Sequence, residues 1–284
     1  MTLPVASNTI SLNQVNIELG YAATAIITMN DDAIRTLFGA GASGTAISMS
    51  SGWGKSNQFA FNMTAGANVD LRTQAVAAGW NQTSKLIATL ASGMIYSSST
   101  GSYALVIAGS FPGGVQFINN GSVTGKGGAG GSGQTNGGGF PGGGGGPALQ
   151  VTVATSITNN GTIAGGGGGG GAGSGGPWNT GGKDPTTFYD SGGGGGGGQS
   201  YSGSSGGSPG GGAGTSTGPG AGSARVGVVG GPGGAGGVYG SAGASGGSVG
   251  ATTAVGAGGA GGACTSGNAN ITWLATGTRL GGLG

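Results

Sequence analysis

Apolar and polar positions alternate along only part of this chain. Phe59, Phe61 and Met63 are separated by small or polar residues, and Leu86–Leu90 and Tyr103–Ile107 are short apolar runs, a pattern that predicts strands over 59–111. Between the first two, Leu71 to Trp80 fits a short helix that Gly79 would end. Further upstream, Ser11 or Asn8 can cap a segment through Val15, Ile17 and Leu19 that stops at Gly20. Asn30 can cap another, with Asp31 and Asp32 in its first turn, Ile34, Leu37 and Phe38 on one face, and Gly39 at its end. Segments this short are not stable alone and must dock on something.

A repeat follows. Phe117-Ile118-Asn119-Asn120-Gly121-Ser122-Val123-Thr124-Gly125 is echoed by Ile157-Thr158-Asn159-Asn160-Gly161-Thr162-Ile163-Ala164-Gly165, and more faintly by Ala275-Thr276-Gly277-Thr278-Arg279-Leu280-Gly281. Each full copy is followed by a glycine tract. Stacked β-coils with Asn-Asn-Gly turns, from which the tracts loop out, account for this pattern; two ordinary hairpins are the alternative.

Composition changes the picture in the second half. Of 80 glycines, 11 fall in residues 1–110 and 62 in residues 121–262, so the latter segment has too few side chains for an ordinary core. A collagen triple helix is excluded, because runs such as 165–171 and 192–198 break the period of three and there are nine prolines in all. A flexible linker and a silk-like fibre remain as alternatives to a bundle of polyproline-II-type helices made of glycine. Such helices have three residues per turn and no internal hydrogen bonds, so their N–H and C=O groups must bond to neighbours. The interruptions favour the bundle: tracts of similar length alternate with segments of different chemistry. The clearest of these is 177–190, which contains Trp178, Asn179, Lys183, Asp184, Phe188, Tyr189 and Asp190.

Charge is scarce. Eight Lys plus Arg, six Asp plus Glu and no His give a formal net charge of +2. Without clustered basic residues, nucleic acid is not an expected partner. A single cysteine, Cys264, and no histidine leave no expected metal site and no disulfide framework. Catalytic chemistry has little to work with: Asp70, Asp184 and Asp190 could in principle supply a carboxylate pair, whereas Asp31 and Asp32 read as first-turn residues. No cofactor site is expected, since none of the Gly-x-Gly-x-x-Gly matches follows a strand and opens a helix. Met1 to Val5 lacks a basic n-region and an apolar h-region, so no secretory signal is expected, and no apolar run approaches the ~20 residues of a membrane helix.

Three blocks carry a family resemblance. They are Ile10 to Gly20, Met29 to Gly39, and Ile47 to Ser56 with its Gly52-Trp53-Gly54-Lys55 core, and together they look like an N-terminal segment common in tailed-bacteriophage tail and virion proteins. The glycine-rich half resembles the tip adhesins of T-even-like phage long tail fibres. In that family glycine-rich motifs form a sandwich of polyglycine helices, and the intervening loops bind a receptor on the bacterial surface. Pro-Glu glycine-rich mycobacterial surface proteins are a weaker comparison, since their N-terminal signature is absent.

The expected architecture is mostly β and irregular. It comprises a virion-attachment region at 1–58, a β-rich region at 59–124, a glycine bundle at 125–267 in which 147–164 returns as a β-repeat, and a C-terminal strand and turn at 268–284. The resemblance implies a virion protein on the tail or tail fibre. Its expected partners are other phage tail or virion proteins and a host surface protein or glycan, and it could form a homo-oligomer. Receptor-contact candidates are Phe140, Trp178, Asn179, Lys183, Asp184, Phe188, Tyr189, Asp190 and Tyr201; attachment candidates are Arg35, Phe38, Trp53 and Lys55. Two alternatives stay open. Trp178, Phe188 and Tyr189 could instead cap the bundle by packing on it, and the chain could be a non-adhesive structural or decoration protein.

Overall fold

A computed structural model of the chain describes residues 3, 10–40, 46–53, 55–183, 186–248 and 254–284. α1 (Leu12–Glu18) begins at a capping box: Gln14 N–H donates to the Ser11 hydroxyl at 3.2 Å, and Ser11 N–H donates to the Gln14 side-chain carbonyl at 2.8 Å. α2 (Asp32–Phe38) ends at Gly39, which is left-handed with φ 67°. Its N-cap is Asp31 instead of Asn30. The Asp31 carboxylate turns back to accept from Thr28 N–H at 2.9 Å and Thr28 Oγ1–H at 2.7 Å, which fixes Asp31 outside the helix in an extended conformation. Val15, Ile34, Leu37 and Phe38 meet Leu3 and Ile10 in a small core of their own.

From residue 58 the chain winds in coils. β1 (Gln58–Asn62), β2 (Gly66–Ala67) and β3 (Val69–Asp70) form the first, followed by α3 (Leu71–Ala77), whose N-terminus Asp70 caps by accepting from Thr73 N–H at 2.7 Å. β4 (Lys85–Leu90), β5 (Ile95–Ser97) and β6 (Leu105–Ile107) form the second; β7 (Val115–Asn119), β8 (Ser122–Thr124) and β9 (Leu149–Val151) form the third. The fourth is β10 (Thr155–Asn159) with β11 (Thr162–Ala164). It closes only at β14 (Thr265–Ser266), after a long excursion that contains the hairpin β12 (Gly176–Asn179) and β13 (Thr187–Asp190). β15 (Ile271–Ala275) and β16 (Thr278–Leu280) complete the stack.

Strands of successive coils pair in parallel, giving sheets of order β1-β4-β7-β10-β15, β16-β11-β8-β5-β2 and β14-β9-β6-β3. The two Asn-Asn-Gly copies therefore lie one above the other, with Phe117 opposite Ile157 and Asn119 opposite Asn159, as stacked coils and not as hairpins. Every second residue of β7 and β10 is buried, so Phe117 and Ile157 join Leu86, Leu105, Leu149 and Ile163 in one core.

The first Asn of each copy is buried and bridges coils. Asn119 Nδ2 donates to Asn159 Oδ1 at 2.7 Å, and Asn159 Nδ2 donates to the Thr276 carbonyl at 2.7 Å, while the Asn119 side-chain carbonyl accepts from Gly121 N–H at 3.1 Å. Asn159→Ala would remove one of the two acceptors of the Asn119 amide, which keeps only the Thr162 carbonyl at 3.2 Å, and would leave the Thr276 carbonyl without its donor. It is expected to lower stability by about 2 kcal/mol, read as a shifted urea midpoint with an unchanged slope.

The glycine tracts leave the stack after β8 and β11 and return at β9 and β14. They are extended, and none of the glycines between Gly114 and Gly181 has a positive φ. Tract 165–175 lies at the centre, fully buried. Its N–H groups turn through three neighbours with a period of three. Gly166, Gly169 and Ala172 donate to Gly146, Gly143 and Phe140; Gly167, Gly170 and Gly173 to Gln199, Gly196 and Gly193; Gly168, Gly171 and Ser174 to Ser241, Ala244 and Gly247, all at 2.7–3.2 Å. Its carbonyls accept with the same period from tracts 128–131, 231–237 and 256–262, which makes six neighbours in all. A Cβ on Gly166, Gly167, Gly168, Gly169 or Gly170 would fall inside 3.0 Å of a backbone oxygen. Close packing of backbones thus replaces close packing of side chains. A net hydrogen bond contributes about 1 kcal/mol and ordering one glycine costs about as much or more, so the tracts order together or not at all.

Candidate functional site

The tracts have a near end, where they leave the coils, and a far end. Gly175 N–H donates to Gly137, Gly192 N–H to Gln134, and Asn136 N–H to Asp190, so the turn at 134–137 and the β12–β13 hairpin lie together at the far end. The hairpin is antiparallel and pairs Gly176 with Asp190, Pro177 with Tyr189, Trp178 with Phe188 and Asn179 with Thr187. Gly181 and Gly182, with φ 69° and 106°, turn it. Trp178 and Phe188 stack, with ring centroids 5.0 Å apart and planes at 23°. Phe188 and Tyr189 are nevertheless about half exposed, at 44% and 53%, so the rings face outward as well as packing on the hairpin.

Asp190 fixes the hairpin to its neighbour. Its carboxylate accepts from Val228 N–H and, at 3.0 Å, from Val229 N–H. Gly227 sits against it with φ 70°, where a Cβ would overlap the carboxylate. The Val229 N–H, above all, holds the Asp190 carboxyl below its ordinary value of 3.8. The Val228 N–H and the positive charge of Arg225 add to this, and partial burial opposes it. The nearby Trp178 indole N–H also favours the charged form, although it makes no hydrogen bond of normal geometry.

A carboxyl with a depressed folded-state pKa contributes stability that is fully present above its unfolded value and is lost as pH falls through its folded value. The clamp should therefore hold through neutral and mildly acidic pH and open only below about pH 3.8. Trp178 fluorescence followed during acid titration should change there, and Asp190→Asn should remove that step.

The sequence candidates do not all meet. Trp178, Asn179, Lys183, Phe188, Tyr189 and Asp190 share the hairpin, with Asn179 and Lys183 exposed toward its tip; Asp184 lies outside the described residues. Phe140, 51% exposed, stands on the flank just below: its N–H donates to Ser132 and its carbonyl accepts from Ala172. Tyr201 is at the opposite end, where it lines a hollow with Gly66, Met94 and Ile95 of the coils. Of the attachment candidates, Arg35 and Phe38 are buried within the N-terminal unit, the Phe38 ring lying on Gly52, whereas Trp53 and Lys55 present surface. Sequence reasoning missed the 227–229 turn, whose contribution is made by backbone N–H groups and so leaves no side-chain signal.

A coiled stem, a platform of laterally bonded glycine tracts and an aromatic hairpin at its far end define a display protein, whose exposed chemistry is presented and not enclosed. The model of the phage tail fibre adhesin Gp38 family matches residues 57–284, and the chain belongs to that family. It is a receptor-binding adhesin of a phage tail fibre, and its location is the virion. The chain also resembles, at 21% identity and a TM-score of 0.53, the crystal structure of the gp37-gp38 adhesin tip complex of the bacteriophage S16 long tail fibre, over 88% of this chain and 90% of that one. That likeness concerns the fold. No curated protein sequence matches the chain.

Proposed function

We propose that the far-end loops make the host contact, with the β12–β13 hairpin at their centre. The carrying observation is that Phe188 and Tyr189 are half exposed on a hairpin held at both strands and clamped through Asp190. Rigid amphipathic rings contribute contact area at low entropic cost, which suits recognition of a surface protein or glycan. The glycine tracts are read as polyglycine-II helices. The three-residue donor period, the six neighbours of tract 165–175 and its lack of positive φ all support this.

The opposite end joins the fibre. The similar S16 protein is described in complex with gp37, and by analogy residues 1–58 and the first coil dock on a fibre subunit, with Trp53 and Lys55 exposed on that unit. Further exposed apolar residues there, Leu12, Ile17, Tyr21 and Ile26, fit a covered surface. The test of host contact is the double variant Phe188→Ala, Tyr189→Ala in whole particles. Normal particle assembly with lost adsorption supports it, and unchanged adsorption refutes it.

A further inference from the structure

We propose that the groove where the coils meet the glycine platform is a second binding subsite, for a saccharide that carries a phosphate. This rests on the adhesin reading and adds a ligand class to it. The groove has a volume of about 710 Å³ and is lined by tract 126–129, residues 144–147, residues 202–205 and the 99–101 turn.

Three features make it a site for an anion with hydroxyls. Lys126 is the only ionisable side chain in its lining, and it makes no ion pair or side-chain hydrogen bond among the described residues. The floor also offers backbone donors. In this tract Gly128 and Gly131 donate to Gly167 and Gly170, and Gly130 donates to Ser205, which uses two of the three directions. The N–H groups of Lys126 and Ala129 occupy the third, which has no neighbouring tract, and they donate to nothing among the described residues. Repeated backbone N–H groups beside a lysine favour an anion. Hydroxyls, finally, line the groove on one side and at the 99–101 turn, from Ser202, Ser204, Ser205, Ser99 and Thr100. The Thr100 and Ser205 hydroxyls are without partners among the described residues, so they are available to sugar hydroxyls. Tyr201, next in the chain to Ser202 of the groove, lines a separate hollow of about 360 Å³ and is 51% exposed, which gives a pyranose face a surface to lie on.

The experiment is an amide NMR titration of the purified full chain with glucose 6-phosphate, and separately with glucose and with inorganic phosphate. Glucose 6-phosphate is expected to shift the Lys126, Ala129 and Ser205 amides saturably, and Lys126→Ala, with unchanged thermal unfolding, is expected to weaken that binding about tenfold. Shifts of equal affinity with inorganic phosphate alone would overturn the saccharide assignment. No saturable shift, or binding unaffected by Lys126→Ala, would overturn the subsite. Failure of the host-contact reading would appear elsewhere, in the adsorption of hairpin variants, because this titration involves no host cell.

Discussion

Gly169→Ala is expected to lower the thermal transition of the glycine platform by about 10 °C, while Gly218→Ala leaves it unchanged. Gly169 sits midway along the central tract; its N–H donates to Gly143 and its carbonyl accepts from Gly259, both at 2.8 Å. A Cβ there would fall on the Ala129 carbonyl oxygen, which is backbone and cannot rotate away. Relief requires two tracts to separate, which costs about 1–3 kcal/mol of overpacking together with about 1 kcal/mol for each hydrogen bond that lengthens. At 2–4 °C per kcal/mol for a region of this size the shift follows. A methyl group is not excluded as such from this tract, since Ala172 and Ser174 are fully buried in it. The position decides. A Cβ on Gly218 meets nothing within 4 Å, so calorimetry of the two variants separates a packed platform from a loose glycine chain, in which both would behave alike.

Particles carrying Phe188→Ala together with Tyr189→Ala should adsorb to host cells about 100-fold more slowly than the parent, while assembling normally. Truncating each of these contact aromatics is expected to cost about 1–2 kcal/mol, and 1.4 kcal/mol is a factor of ten, so two such losses amount to about 100-fold. Both rings are about half exposed, so truncation removes contact surface more than it removes packing. Trp178→Ala is a different perturbation. It removes the 5.0 Å stack on Phe188 and a support of the Asp190 charge, and would loosen the hairpin itself. Adsorption rates of the double variant, with particle yield as the control, are the measurement.

Local signals in the sequence served well where the chain obeys local rules. Ser11, Gly39 and Gly79 mark helix ends because capping and left-handed φ depend on a few neighbouring residues. The two Asn-Asn-Gly copies pointed to stacked coils with hairpins as the alternative, and the structure decides for coils, each buried Asn bonding the next. The five-deep parallel stack was less visible. Its coils are separated by insertions of very different length, α3 in one and the long glycine excursion in another, so no fixed period survives.

Which end of the platform a loop occupies was not legible either. Tyr201 and Tyr189 are both exposed tyrosines beside glycine tracts, yet they stand at opposite ends, because direction reverses at each turn and the tracts themselves carry no register signal. Exposure was equally hidden for Phe38 and Trp53: both are aromatic residues of the N-terminal blocks, but only Trp53 presents surface.

The central claim is that the glycine tracts form a rigid platform held by lateral backbone bonds, and native-state hydrogen exchange of the amides of 165–175 tests it most directly. The donors of 166–174 all have partners in neighbouring tracts, and those of Gly165 and Gly175 bond Leu280 and Gly137, so they should exchange slowly and as one cooperative unit. Exchange at the rate of an unstructured chain would contradict it.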